Sequence, residues 1–546
     1  MNLTSNSDDM KVSDYIISFL EYKDVTDVFG YPGVGCGHLM NSMKSSGIKS
    51  HLVYHEQAAA FAACAYAQAS KKTGIAYTTS GPGGTNLVTG IANAFCDSIP
   101  TIFIVGDKDL ATQRGDSKQR QRTSQEIDIT AIVAPITKWS YQIKTPQEVK
   151  EVFEKAFYIA HEGRPGPVLI DFPSDIQRAE INPNELKGFV EPEAKCYTNE
   201  VKHVVEQLAN AKRPLILIGN GIKQASLDNS LIEFAKKLNI PIVTTLVCFD
   251  LFVGEKNMLG FIGIDGNYTA NHAVNSCDFL ISLGARLNFK QVCNNRQTFA
   301  SKAKIVRVDA DQAELDYRLR DEDMICADLN AFVPEMIKQA ITLEAFDSTT
   351  WLSQLVEEKT IEKKRVALNS VADEVVGKIS ELVPAHTPIA VDTGSHRRWV
   401  MSNFKFKEGQ RLYQSSGLVS MGYSLPAAIG LYYATKKPII CFDGDGGIMM
   451  NLQELQYLTR EQIPVTVIIL NNHCLGDIME FQKKIFNGNY FTTTEHTGYQ
   501  AADFEGLAKG FHLKYSLVRD ITELKNINII NNVPQIVEIL VPSNIA

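Results

Sequence analysis

Short apolar runs rich in Val, Ile and Thr recur along the whole chain. Between them lie longer stretches whose apolar residues return every three or four positions. Strand and helix in strict alternation is the pattern of parallel α/β sheets, not of sandwiches or bundles. Strands are predicted near residues 26–29, 75–78, 101–105 and 168–172, then at PLILIGNGI, residues 240–245, FLISLGA and KIVRVDADQ. The polar stretch INPNELKGFVEPEAK closes the first group, and a charged, helical pattern over residues 342–369 leads into the last. The reading is α/β: three doubly wound parallel-sheet domains over residues 1–185, 200–342 and 370–546, the first and third with a similar rhythm.

Length agrees, since 546 residues at about 150 per domain suggest three. An apolar share of 45% is that of packed globular material. With 54 Lys+Arg against 62 Asp+Glu the net charge is −8, which offers no excess with which to neutralise a nucleic acid backbone. No apolar run approaches the roughly 18 residues of a spanning helix. The opening MNLTSNSDDMKVSDY is polar where a secretory segment would be apolar. These features lead us to expect a cytoplasmic chain with neither membrane nor nucleic acid as a partner. The cysteines, at 36, 64, 96, 196, 248, 277, 293, 326, 441 and 474, are scattered without a CxxC, against a disulfide framework or a structural zinc.

The chemistry concentrates in PIICFDGDGGIMMNLQELQYLTREQIPVTVIILNN. An apolar strand runs into Gly444-Asp445-Gly446-Gly447, a helix is predicted to open at Asn451, and a second strand ends in Asn471-Asn472. Crossover rules bring both strand ends to one sheet edge, where an acid and an amide suit a hard cation, with Mg2+ the natural choice. An isolated GDG is most often only a tight turn. Twenty-four residues separate Gly446 from Asn471, and GDG followed at that distance by NN resembles the thiamin diphosphate motif of the acetolactate synthase and 2-oxo acid decarboxylase superfamily. The resemblance implies that Asp445, Asn472 and the main-chain oxygen of Cys474 bind Mg2+. It also implies that Gly444, Gly446, Gly447, Leu475 and Gly476 line the diphosphate. SSGLVSMGYSLPAAIG is similar to the synthase segment whose methionine, here Met421, props the cofactor in a bent shape. DTGSHRRW resembles the diphosphate-contacting turn and brings in Ser395 and His396.

Near the start, GYPGVGCGHL, YHEQAAAFAACAYAQAS and SGPGGTNLVTGIANAF are similar in order and spacing to the pyrimidine-binding domain of the same family. Glu56 heads the Ala-rich helix, where a carboxylate is also explained by the helix dipole. The resemblance makes it the catalytic glutamate that holds a proton toward the aminopyrimidine, a task suited by burial in an apolar seam. SQEIDITAIVAPITKWSY supplies the family's active-site glutamine at Gln125. The implied reaction is decarboxylation of a 2-oxo acid and transfer of the resulting enamine to a carbonyl acceptor. The implied assembly is a homodimer or dimer of dimers, with Glu56 and Asp445 of different subunits on one cofactor.

The resemblance places the substrate pocket at Gly33, Val34, Asp477 and Phe481, and departures from the family occur at Ser174, Asp477 and Phe481. The usual VPKDIQ is FPSDIQ, and after NN the family's Met and Trp become Asp477 and Phe481. A buried carboxylate requires a partner, so Asp477 is expected to bond a polar, sugar-like substrate, the alternative being that it points to solvent or to a neighbouring Lys. On the central domain the family's flavin segment is altered to GARLNFKQV. Gly219, Gly221, Arg286 and Asp309 could serve a dinucleotide, yet such sheets in this superfamily often bind nothing, so FAD stays open. Two other functions stand beside ligation: simple decarboxylation with release of an aldehyde, though no HH pair is present, and a non-catalytic cofactor-binding scaffold.

Overall fold

The computed structural model describes residues 9–292, 296–346, 349–365 and 370–543. Residues 293–295 with Cys293, residues 1–8 of the polar opening, residues 347–348 and 366–369 of the predicted connector, and residues 544–546 lie outside the described residues. Within the connector, Thr349–Arg365 is helical, as its pattern predicts.

Three six-stranded sheets carry the fold, and every neighbouring pair of strands in them is parallel. The first contains β1 (Asp27–Gly30), β2 (Lys49–Leu52), β3 (Gly74–Thr79), β4 (Thr101–Asp107), β5 (Trp139–Gln142) and β6 (Pro167–Pro173), in the order β2-β1-β3-β4-β6-β5. The middle sheet contains β7 (Pro214–Ile218), β8 (Ile242–Thr244), β9 (Met258–Phe261), β10 (Phe279–Leu283), β11 (Lys304–Asp309) and β12 (Asp323–Cys326), ordered β9-β8-β7-β10-β11-β12. The third contains β13 (Pro388–Val391), β14 (Arg411–Tyr413), β15 (Ile439–Gly444), β16 (Val465–Asn471), β17 (Lys514–Val518) and β18 (Gln535–Leu540). Its order, β14-β13-β15-β16-β18-β17, repeats that of the first sheet. Central strands such as TIFIVGD and VTVIILN are buried at every position, because helices cover both faces of a parallel sheet.

The described residues form two compact units. One holds the first and third sheets, within residues 1–191, 369–405 and 409–546; the other, within 192–368 and 406–408, holds the middle sheet. In the first unit the helix Glu56–Ser70 packs against the helix Ser424–Thr435 in one shared core. Both are apolar all round, and small residues let them touch backbone to backbone: a Cβ on Gly430 would stand 2.0 Å from the Ala62 carbonyl oxygen. The Ala-rich run is therefore a buried central helix, which explains why it shows no polar stripe.

After β15 the chain differs from the predicted helix at Asn451. Two short 3-10 turns, Ile448–Met450 and Leu452–Glu454, come first, and the α-helix begins at Leu455. The Asn451 amide donates to the Gly422 carbonyl and to Gln57 Oε1, and the tight turn carries Glu454 to the backbone N–H of Tyr54. Docking onto the first sheet's elements thus outweighs local helix formation.

Candidate active site

In an open parallel sheet a ligand crevice forms beyond the carboxyl ends of the strands, where the order reverses. In the third sheet that point lies between β13 and β15. The turn Asp392-Thr393-Gly394-Ser395 leaves one strand and Asp445-Gly446-Gly447 leaves the other. Asn471 and Asn472 close the next strand, β16, on the same edge.

Asp445 is buried and accepts a hydrogen bond from the Tyr499 hydroxyl at 2.9 Å, while burial pushes its carboxyl up to about 6. The end of the Asn472 amide that faces it lies 3.2 Å from Asp445 Oδ1 and 2.9 Å from the Cys474 carbonyl oxygen. With its NH2 turned inward the amide bridges both oxygens. Turned the other way, its oxygen joins theirs in a three-oxygen set of the kind a small hard cation takes. The Cys474 thiol is no part of this set; it is buried and pushed up to about 12 by that burial. Around the set the backbone is close-packed. A Cβ on Gly476 would stand 2.7 Å from Ser395 Oγ and 2.9 Å from the Asn472 amide, and one on Gly446 would meet Leu475 at 2.7 Å.

His396 is buried against glycine, with the Cβ position of Gly444 only 2.9 Å from its Nδ1. Burial pushes its imidazole down to about 4, so the ring is neutral, and Nε2 has no hydrogen-bond partner. A buried polar atom left without a partner is a handle for a ligand. Ser395 donates to Asp477 Oδ1 at 2.7 Å. Asp477 also pairs with Arg398 at 3.1 Å, and its side chain is 43% exposed. Asp477 is not buried as expected: at the start of the helix Gly476–Ile485 it is half in solvent within this chain and has two protein partners. Phe481, on the same helix, is 53% exposed and meets Phe486 edge to face. Met421 is half-buried beside the turn that leads into Ser424.

Two carboxylates missed by the sequence reading, Asp392 and Asp443, hold these turns together. Asp392 accepts the backbone N–H groups of Thr393, Gly422 and Ser424, and Asp443 those of Gly444 and the Ser424 hydroxyl. Burial raises both, Asp443 well above the carboxylate range, so the pair keeps a proton. Together with His396 they place ligand atoms within 4.8 Å of one another, but backbone and hydroxyl donors already occupy the acids. Their signal was the Asp that precedes each glycine turn, DTG and DGDG.

In the first sheet the reversal lies between β1 and β3. Gly33 and Val34 leave β1; a Cβ on Gly33 would stand 2.4 Å from Thr79 at the end of β3, and Val34 is 81% exposed. After β3, Gly81 has φ +68° and its Cβ position is 2.9 Å from Gln125, which itself adopts φ +66°. Glu56 opens its helix on the same edge. The Cβ position of Gly83 is 3.4 Å from Glu56 Oε1, and the Asn86 amide donates to Oε2 at 2.9 Å. Within this chain Glu56 is half-buried, not sealed in an apolar seam as expected. Among the described residues no hydrogen bond or ion pair joins Glu56 or Gln125 to Asp445, Asn472 or His396.

In the middle sheet the reversal falls between β7 and β10, where the two turns lie on each other. A Cβ on Gly219 would stand 2.1 Å from the Gly284 carbonyl oxygen, and Gly221 also abuts Gly284. Arg286 pairs with Glu314 at 3.0 Å, and Asp309 accepts the Asp311 N–H.

Among the described residues no helix is long and apolar enough to cross a membrane. Three family descriptions match the chain: "Thiamine pyrophosphate enzyme, N-terminal TPP binding domain" over residues 10–132, the central domain of the same enzymes over 201–336, and their C-terminal TPP binding domain over 392–533. The chain is 34% identical to a probable acetolactate synthase large subunit of Methanocaldococcus jannaschii, over 97% of this chain and 92% of that protein. It is 33% identical to the acetolactate synthase isozyme 2 large subunit of Escherichia coli, over 89% and 87%. It is likewise 33% identical to a chloroplastic acetolactate synthase of Nicotiana tabacum, over 88% and 73%. With its three parallel sheets and the two switch-point clusters, the chain belongs to the thiamine pyrophosphate enzymes and, within them, to the relatives of the acetolactate synthase large subunits.

Proposed function

We propose that this protein is a thiamin diphosphate- and Mg2+-dependent carboligase, which decarboxylates a 2-oxo acid and passes its acyl carbon to a carbonyl acceptor. The observation that carries the reading is the convergence of Asp445 Oδ1, the Asn472 amide and the Cys474 carbonyl beside the orphaned His396 Nε2. When bound, thiamin diphosphate supplies an electron sink that lets the oxo acid lose carbon dioxide and lets the remaining carbon attack a second carbonyl.

The residues divide the other tasks. Asp445, Asn472 and the Cys474 carbonyl fit Mg2+. The neutral His396 can donate one N–H to a phosphate oxygen without charging, and the glycines at 444, 446, 447 and 476 let His396, Leu475, Asp443 and Ser395 pack closely around the crevice. Ser395, steadied by Asp477, and Leu475 frame the same crevice, and Met421 supports the ring system. Glu56 holds and returns a proton at the pyrimidine, with Asn86 fixing one of its oxygens. Gln125, Gly33, Val34 and Phe481 face the substrates. Because Glu56 and Asp445 have no link within the chain, a complete centre drawing one cluster from each of two subunits is the assembly we favour. A homodimer or dimer of dimers follows. We assign no flavin to the middle sheet, whose turns fill their own crevice and whose Arg286 is paired; absorbance in the flavin bands of the purified protein tests this.

The deciding experiment incubates the holoprotein with pyruvate and follows carbon dioxide and ligation product, with Glu56→Gln as the control. We expect turnover that falls about 10²- to 10⁴-fold in the variant while cofactor binding persists. Cofactor-loaded protein that converts no oxo acid would return the reading to a binding scaffold. Aldehyde in place of ligation product would make it a simple decarboxylase.

A further inference from the structure

The segment between β4 and Gln125 is the most strongly charged exposed stretch beside the candidate site. Residues 114–122 read RGDSKQRQR, with Arg114, Lys118, Arg120 and Arg122 against the single acid Asp116, in a chain whose net charge is −8. Lys118, Arg120 and Arg122 are exposed, and among the described residues no ion pair engages any of the three.

This loop is built, not merely draped. The buried carboxylate of Glu126 accepts the backbone N–H groups of Arg114, Arg122 and Thr123, which ties the two ends of the basic stretch to one point. Burial works to raise that carboxyl, but the backbone donors outweigh it and hold it below its ordinary value, so it stays ionised. The Gln121 amide donates to the Glu126 carbonyl, and Gln113 anchors the loop's start on Asp107 and the Lys108 carbonyl. The Arg114 guanidinium also donates to the Gln119 carbonyl inside the loop, and the heads of Lys118, Arg120 and Arg122 are left outside. The same clamp sets the chain just before Gln125, whose left-handed backbone rests against Gly81, one turn from Glu56.

Position then selects the ligand. A small oxo acid needs only the Glu56 and Gln125 end, whereas the exposed cations end at Arg122, three residues before Gln125, and suit the far end of a longer substrate. Arginine and lysine in excess over the single acid Asp116 suit a dianion, and the arginine fork matches phosphate oxygens. We propose that residues 114–122 form an anion-binding rim that selects a carbonyl acceptor carrying a phosphoryl group several bonds from its carbonyl. The proposal rests on the carboligase reading above and specifies its acceptor.

The test compares D-glyceraldehyde 3-phosphate with D-glyceraldehyde as acceptors, with pyruvate as donor, in the holoprotein and in the triple variant Lys118→Ala, Arg120→Ala, Arg122→Ala. Thermal unfolding and thiamin diphosphate binding of the variant establish that it is folded and loaded. The native protein is expected to show kcat/KM at least roughly tenfold higher for the phosphorylated acceptor, a preference that falls toward one in the variant and shrinks with added salt. Ligation of both acceptors with equal kcat/KM, or a preference that survives the triple substitution, overturns the rim assignment and leaves the carboligase reading standing. Absence of carbon dioxide release from loaded protein with either acceptor overturns the carboligase reading, and the rim with it.

Discussion

Gly476 offers the sharpest test of the crevice, because its backbone is that of an ordinary helix start and no left-handed angle complicates the substitution. In Gly476→Ala the new Cβ would lie 2.7 Å from Ser395 Oγ and 2.9 Å from the Asn472 amide, both nearer than carbon normally approaches, so one group must move. Rotating Ser395 breaks its 2.7 Å bond to the Asp477 carboxylate, a charge-assisted contact worth about 1.5–3 kcal/mol. Displacing Asn472 instead removes one of the three groups that converge with Asp445. Overpacking of this kind costs about 1–3 kcal/mol. Ala is favoured over Gly within a helix by up to about 1 kcal/mol, so global stability should change little. The strain falls on the ligand groups and should weaken thiamin diphosphate binding about 10- to 100-fold, at about 1.4 kcal/mol per decade. Calorimetric titration of the apoprotein with the cofactor in saturating Mg2+ reads the affinity, and chemical denaturation reads the stability. An unchanged dissociation constant would show that these groups do not hold the cofactor.

Three further outcomes follow from the geometry. Burial pushes the fully buried Glu454 carboxyl from 4.5 up to about 7, even though it accepts the Tyr54 N–H. The stability that its held proton contributes is complete below about pH 4.5 and lost as the pH rises through about 7, on the order of 3 kcal/mol in all; denaturation of apo Glu454→Gln should therefore show a flatter pH profile over that window, and parallel profiles would exclude the raised acid. Gly430→Ala drives a Cβ to 2.0 Å from the Ala62 carbonyl oxygen, a backbone that cannot swing aside, and should destabilise the first unit by about 1–3 kcal/mol in a denaturant titration. Asp477→Met should raise the cofactor dissociation constant severalfold by freeing Ser395, since the carboxylate's partners are Ser395 and Arg398; an effect confined to the KM of the acceptor would instead restore Asp477 to direct substrate contact.

Much of the fold was legible in the chain because parallel strands buried on both faces read as unbroken apolar runs, as in TIFIVGD and VTVIILN. The helix Glu56–Ser70 was legible as an Ala-rich run, but not as the centre of a two-sheet core. Periodicity reports an amphipathic face, and this helix has none because it is covered on every side. Asn451 misled for a related reason: its amide bonds Gly422 and Gln57, groups remote in sequence, and that docking sets the local turns.

The candidate site divides in the same way. Sequence alone determined the chemistry on offer, since a cation that needs several oxygens at one sheet edge draws them from strand-end turns, and GDGG and NN are such turns written out in order. Tertiary structure decided what surrounds that chemistry. It made His396 neutral with an unpartnered nitrogen, buried the Asp392 and Asp443 pair behind the glycine turns, set Gln125 against Gly81, and tied Asp477 to Ser395 at a half-exposed position. Residue types and spacings establish which groups share an edge. Burial and the contacts between segments hundreds of residues apart establish their protonation and their partners, and those come into being only when the chain is packed.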